Sequence, residues 1–479
     1  MSILEYNNFF LVGIKGVAMT SMAQLLNDAQ KEISGSDVEE DFVTKDLLKK
    51  LNITISIGFD TEIPDEINCV IYTAAHEGQF NPQVVNAQKR QIKTYSHAEA
   101  LAEFFNLKKG IAVCGVGGKS TVSAMIAWIL SKTDKDPSFA VGVGNIPGLN
   151  KTARWDNSTN IFVAEADEYV TDPSALARGK NITPRFSFLK PFTTICTNLK
   201  FDHPDVYRNF EHTKEEFFKF FNQISETGFL ILNYEDLKHK PTTSAEIILT
   251  FGNNPEADFQ YEQVKEEQKP GINIGKLKYK SQDYKIELKV PGIYNLKNAV
   301  VAIAACTTVD VTVLESINAL ASFNSTQRRF ELIGTKNGVT YYDDYAHHPN
   351  EVKSVISALN KWYPKSRKII AFQPHTYSRT KKLLAEFIDA FGESISNDNA
   401  NANSEIILLD IFSSAREEND PTISSDDIVK GVQNKFKNIK ISNVRTVHNL
   451  GVYFENNLEP GDVVLTVGAG DIYKVHELV

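Results

Sequence analysis

The sequence contains few cysteines and no long apolar run, and both absences limit what the chain can be. Its four cysteines stand singly among apolar neighbours, as in NCVIY and TICTN. This spacing excludes a zinc knuckle and a disulfide framework, so we expect four buried, reduced thiols. No stretch approaches the roughly 18 apolar residues that a membrane-spanning helix needs. The start of the chain, MSILEYNNFFLVGI, also lacks the basic segment of a secretory signal, so the sequence predicts a cytoplasmic protein.

An excess of basic residues is absent as well. The chain carries 60 acidic and 51 basic side chains, which gives a formal net charge of -9. Proteins that bind nucleic acid or an anionic membrane over a broad surface usually show the opposite balance. We therefore expect no nucleic-acid partner and no membrane partner, and any phosphate group must be held by local features of the chain.

The length and the hydrophobic pattern predict three α/β domains. A chain of 479 residues is too long for one core. Short apolar runs alternate with segments of helical periodicity, which predicts Rossmann-like α/β domains at the N- and C-termini and a further α/β domain between them. The glycine-lysine loop at 114–121, described below, makes the expected central domain an ATPase domain of the P-loop type. A polar, alternating segment at 235–290 predicts antiparallel strands, so the central sheet should be mixed. The expected domains are 1–107, 108–325 and 326–479, and the low-complexity stretch 396–405 predicts a solvated loop.

The clearest chemical motif is CGVGGKST at 114–121, which follows an apolar strand and precedes a helix. Bare backbone N–H groups and a helix N-terminus can bind phosphate oxygens, a lysine can reach the β and γ phosphates, and a serine hydroxyl can bind Mg²⁺. The familiar spacing G-x-x-x-x-G-K-[ST] is not met, because Val113 stands where the first glycine belongs. On this motif alone, a glycine turn with an exposed lysine remains the alternative. The predicted phosphate-binding residues are Gly115, Val116, Gly117, Gly118, Lys119, Ser120 and Thr121.

Two further motifs follow predicted strands and carry possible metal ligands. EADEYVTDP places Glu165, and NLKFDHPDVY places His203, at the carboxyl ends of neighbouring strands. A hard cation that bridges phosphate oxygens needs carboxylate ligands and can accept one imidazole. Taken singly, these residues could be a surface acid and a capping histidine, but their joint placement favours a metal site formed with Ser120.

These motifs together resemble those of the Mur ligases of peptidoglycan synthesis. GKST, EADE, DHPD, PGIYNLKNA, RRFE, DDYAHHPNE, FQPHTYSRTK and VGAGDIYKV follow in order, and the resemblance runs from Gly13 to Lys474. The family's shorter phosphate loop, G-T-x-G-K-[ST]-T, accounts for the spacing, with Val116 in place of the threonine and Gly117 where many members carry histidine. The resemblance implies a ligase that uses ATP and Mg²⁺, and it is greatest to members that join L-alanine to UDP-N-acetylmuramate through an acyl phosphate.

The resemblance also implies a role for each of the matched residues. Ser120 and Glu165 would hold one Mg²⁺, and Glu165 and His203 a second. The implied catalytic residues are Lys119, Glu165, His203 and Arg329, with Arg328 less favoured than Arg329. The nucleotide contacts outside the phosphate loop would be Asn295, Asn298, Arg329 and Asp344. The UDP-sugar would meet Gly13, Gly16 and Asp37, and the amino acid would meet His348, His375 and Arg379.

Several alternatives stay open from the sequence. A related ligase joins a recycled tripeptide to the same UDP-sugar, and a non-catalytic UDP-sugar-binding relative could share this architecture. The glycine turn after Gly13 would suit NAD as well as a UDP-sugar. Asp37 could be a turn residue, and Asn295 and Asn298 could be helix caps.

Overall fold

A computed structural model describes residues 2–40, 42–203, 206–264, 271–396, 404–413 and 419–478. The last two residues of the DHPD motif and most of the predicted loop at 396–405 lie outside these ranges. The described residues form two compact units. The first unit falls within 1–265, 274–288 and 294–323, and the second within 266–273, 289–293 and 324–479. All four cysteines are buried and free, as predicted.

The first sheet has five parallel strands in the order β3-β2-β1-β4-β5. Its strands are β1 (Asn8–Val12), β2 (Glu32–Asp37), β3 (Thr54–Ile57), β4 (Cys69–Tyr72) and β5 (Lys93–Ser96). Its helices are α1 (Val17–Asp28), α2 (Lys45–Leu51), α3 (Pro82–Lys89) and α4 (His97–Phe105). The strand order reverses between β1 and β4, and ligands of open α/β sheets bind at such a switch point. The predicted Rossmann-like N-terminal fold is confirmed.

The second sheet also lies in the first unit and has ten strands in the order β15-β14-β13-β12-β11-β10-β6-β9-β7-β8. Its strands are β6 (Lys109–Cys114), β7 (Ser138–Ala140), β8 (Ala153–Arg154), β9 (Ile161–Glu165), β10 (Thr193–Cys196), β11 (Phe229–Asn233), β12 (Ile247–Gly252), β13 (Phe259–Gln263), β14 (Asn273–Tyr279) and β15 (Gln282–Leu288). Its helices are α5 (Lys119–Lys132), α6 (Phe210–Phe221), α7 (Ile293–Thr307) and α8 (Val313–Leu320). The predicted mixed sheet is confirmed.

The strand directions within 235–290 differ from the prediction. Strand β12 pairs in parallel with both β11 and β13, whereas β13 pairs with β14 in the predicted antiparallel register. The reason is that alternating apolar and polar residues indicate a half-exposed strand but carry no information about the direction of its neighbour.

The third sheet belongs to the second unit and has six strands in the order β16-β17-β21-β18-β19-β20. Its strands are β16 (Glu331–Lys336), β17 (Val339–Asp344), β18 (Lys368–Phe372), β19 (Glu405–Leu409), β20 (Lys440–Arg445) and β21 (Val463–Val467). Its helices are α9 (Pro349–Trp362), α10 (Tyr377–Lys382), α11 (Leu384–Ser396), α12 (Ser425–Lys435) and α13 (Val447–Asn457). Helices α10 and α11 meet at Leu383, which is the C-cap of α10. Among the described helices, none combines the length and the apolar character of a bilayer-crossing segment.

Helix α1 connects the first sheet to the second within the first unit through side-chain hydrogen bonds. The Gln24 side-chain oxygen accepts the backbone N–H groups of Thr152 at 3.0 Å and Ala153 at 2.8 Å. One turn away, the Ser21 and Thr152 hydroxyl oxygens lie 2.9 Å apart. Gln24 is only 4% exposed, so water cannot replace it as a partner for the two N–H groups. This junction fixes the glycine turn before α1 relative to the second sheet.

We predict that Gln24→Leu destabilises the first unit, because the substitution keeps the side-chain size but leaves two buried N–H groups without an acceptor. The expected loss is about 1–3 kcal/mol of unfolding free energy, measured by urea unfolding. Gln88→Leu is the matched control, since Gln88 lies exposed on α3. Equal stability of the two variants would contradict the role given to Gln24.

Candidate active site

The phosphate loop joins β6 to α5 near the middle of the second sheet. Gly115, Gly117 and Gly118 have φ angles of 107°, 85° and 83°, in the left-handed region that favours glycine. A Cβ on Gly115 would lie 2.6 Å from the Thr197 hydroxyl, and one on Gly118 would lie 2.9 Å from the Asn298 side-chain oxygen. Both positions therefore require glycine for space as well as conformation, whereas the space beside Gly117 is open.

Lys119 begins α5 and forms a buried ion pair. Its Nζ lies 2.8 Å and 2.9 Å from the two carboxylate oxygens of Glu168, and it donates to the Gly115 carbonyl at 3.1 Å. Burial favours the neutral amine, but the neighbouring carboxylates, Glu168 foremost, outweigh it and raise the pKa of Lys119 above its ordinary value. The lysine is therefore charged at neutral pH and is held against the loop that is predicted to bind phosphate.

His203 lies beside the same carboxylate. Its Nε2 is 3.6 Å from a Glu168 oxygen and 3.7 Å from an Asp202 oxygen. One ligand atom from each of these three side chains falls within 4.8 Å of the others. Burial opposes the charged imidazole, but Glu168 and Asp202 raise the pKa of His203. Two carboxylates and one imidazole form a donor set that suits a divalent cation.

Glu165 occupies a different place from the one predicted. Its Oε1 accepts the Gly142 N–H at 2.6 Å, and the carboxylate also accepts a hydrogen bond from Ser120. Burial raises the pKa of Glu165. The structure thus brings Ser120 and Glu165 together, as one predicted metal position requires, but among the described residues it groups His203 with Glu168 instead. The cause is the turn after β9, which directs Glu168, the last acid of EADE, back towards the phosphate loop.

The sequence reasoning did not single out Glu168, Asp202 or Asn198. Glu168 and Asp202 stand inside the motifs EADE and DHPD, so their carboxylates were a visible signal. The predicted strand end favours Glu165 and the imidazole favours His203, and neither signal distinguishes the neighbouring carboxylates. Asn198 carries no charge and gave no signal, yet its side chain binds both backbone polar groups of Val116.

Helix α7 brings the two predicted adenine-side asparagines to the phosphate loop. Asn295 and Asn298 are 4% and 7% exposed, and the Asn298 amide nitrogen lies 3.5 Å from the Asn295 oxygen. Because α7 begins at Ile293, neither asparagine is its N-cap. The helix-cap alternative is therefore wrong, and Asn298 instead lies against Gly118.

The glycine turn of the first sheet is built around Asp37. Gly13 has φ 81°, and a Cβ there would lie 2.5 Å from the Thr73 methyl group. The two Asp37 oxygens accept the N–H groups of Lys15 at 2.7 Å and Val38 at 2.8 Å. Gly16 is the N-cap of α1. Asp37 is 1% exposed and shapes the turn, so the turn-residue alternative describes its observed contacts.

In the second unit, the RRFE motif separates the two arginines. Arg328 is 6% exposed, and its guanidinium donates to Asp343 at 2.8 Å and to the Gly470 carbonyl at 3.1 Å. Arg329 is half-buried and lies over the Tyr345 ring at 5.4 Å.

Burial raises the pKa of Asp344 to about 6, and its oxygens accept two backbone N–H groups at 2.7 Å. Arg328 thus has a structural role, which leaves Arg329 as the favoured phosphate contact.

The predicted amino-acid residues are also only partly grouped. The Arg379 guanidinium lies 3.2 Å from His375 Nδ1. The nearby imidazole is that of His347, whose ring centroid is 6.3 Å from that of His375. His348 instead caps α9, with its Nδ1 accepting the Asn350 N–H at 3.3 Å. The structure therefore places His347, rather than His348, beside His375, because His348 faces the start of its own helix.

Family comparisons match almost the whole chain. Residues 9–109 match the Mur ligase family, catalytic domain, and residues 113–306 match the Mur ligase middle domain. Residues 328–470 match the Mur ligase, glutamate ligase domain.

Individual relatives and solved structures agree with these matches. A UDP-N-acetylmuramate–L-alanine ligase from Desulfitobacterium hafniense is 33% identical over 465 residues, which is 97% of each chain. A ligase of the same name from Clostridium botulinum strain Kyoto is 34% identical over 473 residues, covering 98% of this chain and 96% of that one.

Two solved structures share the fold over 98% of this chain and 97% of their own, each at 21% identity. One is the UDP-N-acetylmuramate-alanine ligase of Thermotoga maritima, with a TM-score of 0.76, and the other is a murein peptide ligase of Psychrobacter arcticus, with a TM-score of 0.64. From the full-length sequence relatives and this shared fold, we conclude that the chain belongs to the Mur ligase family.

Proposed function

We propose that the chain is an ATP-dependent ligase that joins L-alanine to UDP-N-acetylmuramate. ATP phosphorylates the carboxylate of the sugar, and the amine of L-alanine then attacks the acyl phosphate to give an amide, ADP and phosphate. The observation that carries the proposal is the convergence of Lys119, Glu168 and His203 beside the phosphate loop. The full-length relatives from two organisms bear the name of this reaction.

The first step places a carboxylate against a triphosphate, and the repulsion between the two anions is the main obstacle. Fixed positive charge at the transferring phosphoryl group lowers this barrier, because phosphoryl transfer depends mostly on positioning and electrostatic stabilisation. Lys119 supplies such a charge, since its pKa is raised. We assign the same function to Arg329. Its neighbour Arg328 is less suited to this function, because its guanidinium is held by Asp343.

We assign Mg²⁺ to Glu168, Asp202 and His203, whose ligand atoms converge within 4.8 Å. Ser120 and Glu165, which share a hydrogen bond, are kept as ligands of a second Mg²⁺. The oxygen-rich donor sets suit this hard cation. When bound, such ions offset phosphate charge and orient the reacting oxygens.

The proposal divides the chain into three working parts. Residues 1–107 bind the UDP-sugar, residues 108–325 bind ATP, and residues 326–479 contribute to binding of the amino acid and the nucleotide. His375 and Arg379 would contact L-alanine, because a guanidinium suits its α-carboxylate. In this proposed amino-acid site, His347 takes the place of His348, which caps α9. We place the reaction in the cytoplasm, where ATP is available and the four free cysteines would stay reduced.

Phosphate release from ATP tests the proposed reaction directly. The enzyme is mixed with ATP, Mg²⁺ and UDP-N-acetylmuramate, and L-alanine, glycine, L-serine or the muramyl tripeptide is added in turn. We expect the highest kcat/KM with L-alanine. Preference for the tripeptide would replace the proposal by the recycling ligase, and release with none of the amines would favour a non-catalytic binding protein.

Lys119→Ala should remove turnover while it leaves UDP-sugar affinity nearly intact, because the lysine is assigned to the nucleotide phosphates. Loss of one such charge at the transferring phosphoryl group should lower kcat by about 10³- to 10⁵-fold. Calorimetric titration with UDP-N-acetylmuramate measures the affinity of the same variant. Parallel loss of affinity and turnover would contradict the assignment.

Glu168→Gln and Glu165→Gln separate the roles of the two glutamates of EADE. If Glu168 binds Mg²⁺ together with His203, Glu168→Gln should raise the Mg²⁺ concentration needed for half-maximal activity by about 10- to 100-fold. Glu165→Gln should raise it less, since this variant leaves the set of Glu168, Asp202 and His203 intact. The reverse order of the two variants would restore Glu165 as the partner of His203.

A further inference from the structure

The side chain of Asn198 holds the second residue of the phosphate loop from both sides. Its Oδ1 accepts the Val116 N–H at 3.0 Å, and its Nδ2 donates to the Val116 carbonyl. A primary amide carries a donor and an acceptor on one planar group, so it can satisfy both backbone polar groups of a single residue. The peptide groups of Val116 are thus turned towards Asn198, which fixes the orientation of the loop at this point.

The residues around Asn198 support the same part of the loop. Thr197 donates from its hydroxyl to the Gly117 carbonyl at 2.8 Å. The Thr197 carbonyl in turn accepts from Lys297 Nζ at 3.0 Å, and Lys297 is carried by α7. The side of Gly115 is closed by Thr197 and by the Asn198 backbone. The end of β10 therefore contacts three successive residues, 115–117, and ties them to helix α7.

The loop needs such support because of its composition. Three of its four residues are glycines with positive φ, and glycine loses more conformational entropy than any other residue when it is fixed. A loop of this kind, left without restraints, would occupy many conformations, and nucleotide binding would have to select one of them. The polar groups that Asn198 binds belong to the backbone of Val116, so the restraint does not depend on which side chain stands at this position.

We propose that Asn198 is a positioning residue that sets the phosphate loop in its nucleotide-binding conformation before ATP arrives. The inference rests on the proposed function, since it assumes that this loop binds ATP. Asn198 would thus contribute to the ATP affinity, although it is uncharged and contacts the loop rather than the reacting atoms. It also accounts for the tolerance of valine at position 116, because only the backbone of that residue is used.

The test compares two asparagines that make the same kind of contact. Asn106 also joins two backbone groups: its Nδ2 donates to the Phe188 carbonyl at 3.0 Å, and its Oδ1 accepts the Lys190 N–H at 2.8 Å. Asn106 lies at the end of α4 and is exposed. The variants Asn198→Leu and Asn106→Leu each remove two hydrogen bonds of similar geometry, but only the first acts on the phosphate loop.

Equilibrium binding of ATP with Mg²⁺, the melting temperature, and KM for each of the three substrates are measured for both variants. We expect Asn198→Leu to weaken ATP binding and to raise KM for ATP about tenfold, which corresponds to two uncharged hydrogen bonds. KM for UDP-N-acetylmuramate should stay unchanged. Asn106→Leu should leave ATP affinity at the wild-type value. If Asn198→Leu does not fold, Asn198→Ser serves in its place, with circular dichroism as the check of folding.

Three results would overturn the inference. Wild-type ATP affinity in Asn198→Leu would show that the loop reaches its conformation without the amide. Equal losses in Asn198→Leu and Asn106→Leu would show a general effect on stability. If the wild-type protein itself binds no ATP, the proposed function fails first, and this outcome is distinguished from the others because it does not involve Asn198.

Discussion

The buried ion pair between Lys119 and Glu168 constrains the arrangement of the strands in the second sheet. A carboxylate that is 1% exposed is costly unless a cation and hydrogen bonds compensate for it. The cation comes from the first turn of α5 and the acid from the turn after β9, so the two strands that precede them must be neighbours. The order β10-β6-β9 meets this condition, and β10 adds His203 from the other side. A positive charge, two carboxylates and an imidazole thus meet at one edge of one sheet.

This arrangement also explains why the phosphate loop can be short. The parallel strands β6 and β10 pair from Ile111 to Cys114, so their ends lie side by side. Thr197 and Asn198 follow β10 directly and bind the backbone of the loop that follows β6. A neighbouring strand end therefore supplies the restraint that a longer loop would have to provide through its own turns. The same adjacency closes the space beside Gly115, which only glycine can occupy.

The sequence predicted the fold class well because it depends on the spacing of apolar runs and glycine turns. It also predicted which loops lie close together, since the carboxyl ends of parallel strands converge. It did not predict which residue within a motif points inward. Glu165 and Glu168 differ by three positions in one turn, and His347 and His348 are adjacent, so composition and spacing cannot separate them. Strand direction in 235–290 depends on long-range pairing, which the alternation of residue types does not encode.

We propose that the ion pair between Lys119 and Glu168 marks the phosphoryl-transfer centre, with Glu168 and His203 as metal ligands. The most direct measurement is a crystal structure with a non-hydrolysable ATP analogue and Mn²⁺, in which anomalous scattering locates the metal. We expect an anomalous peak in direct contact with Glu168 and His203, and the γ-phosphate beside Lys119. A nucleotide bound elsewhere, or Mn²⁺ held by neither of these two side chains, would contradict it.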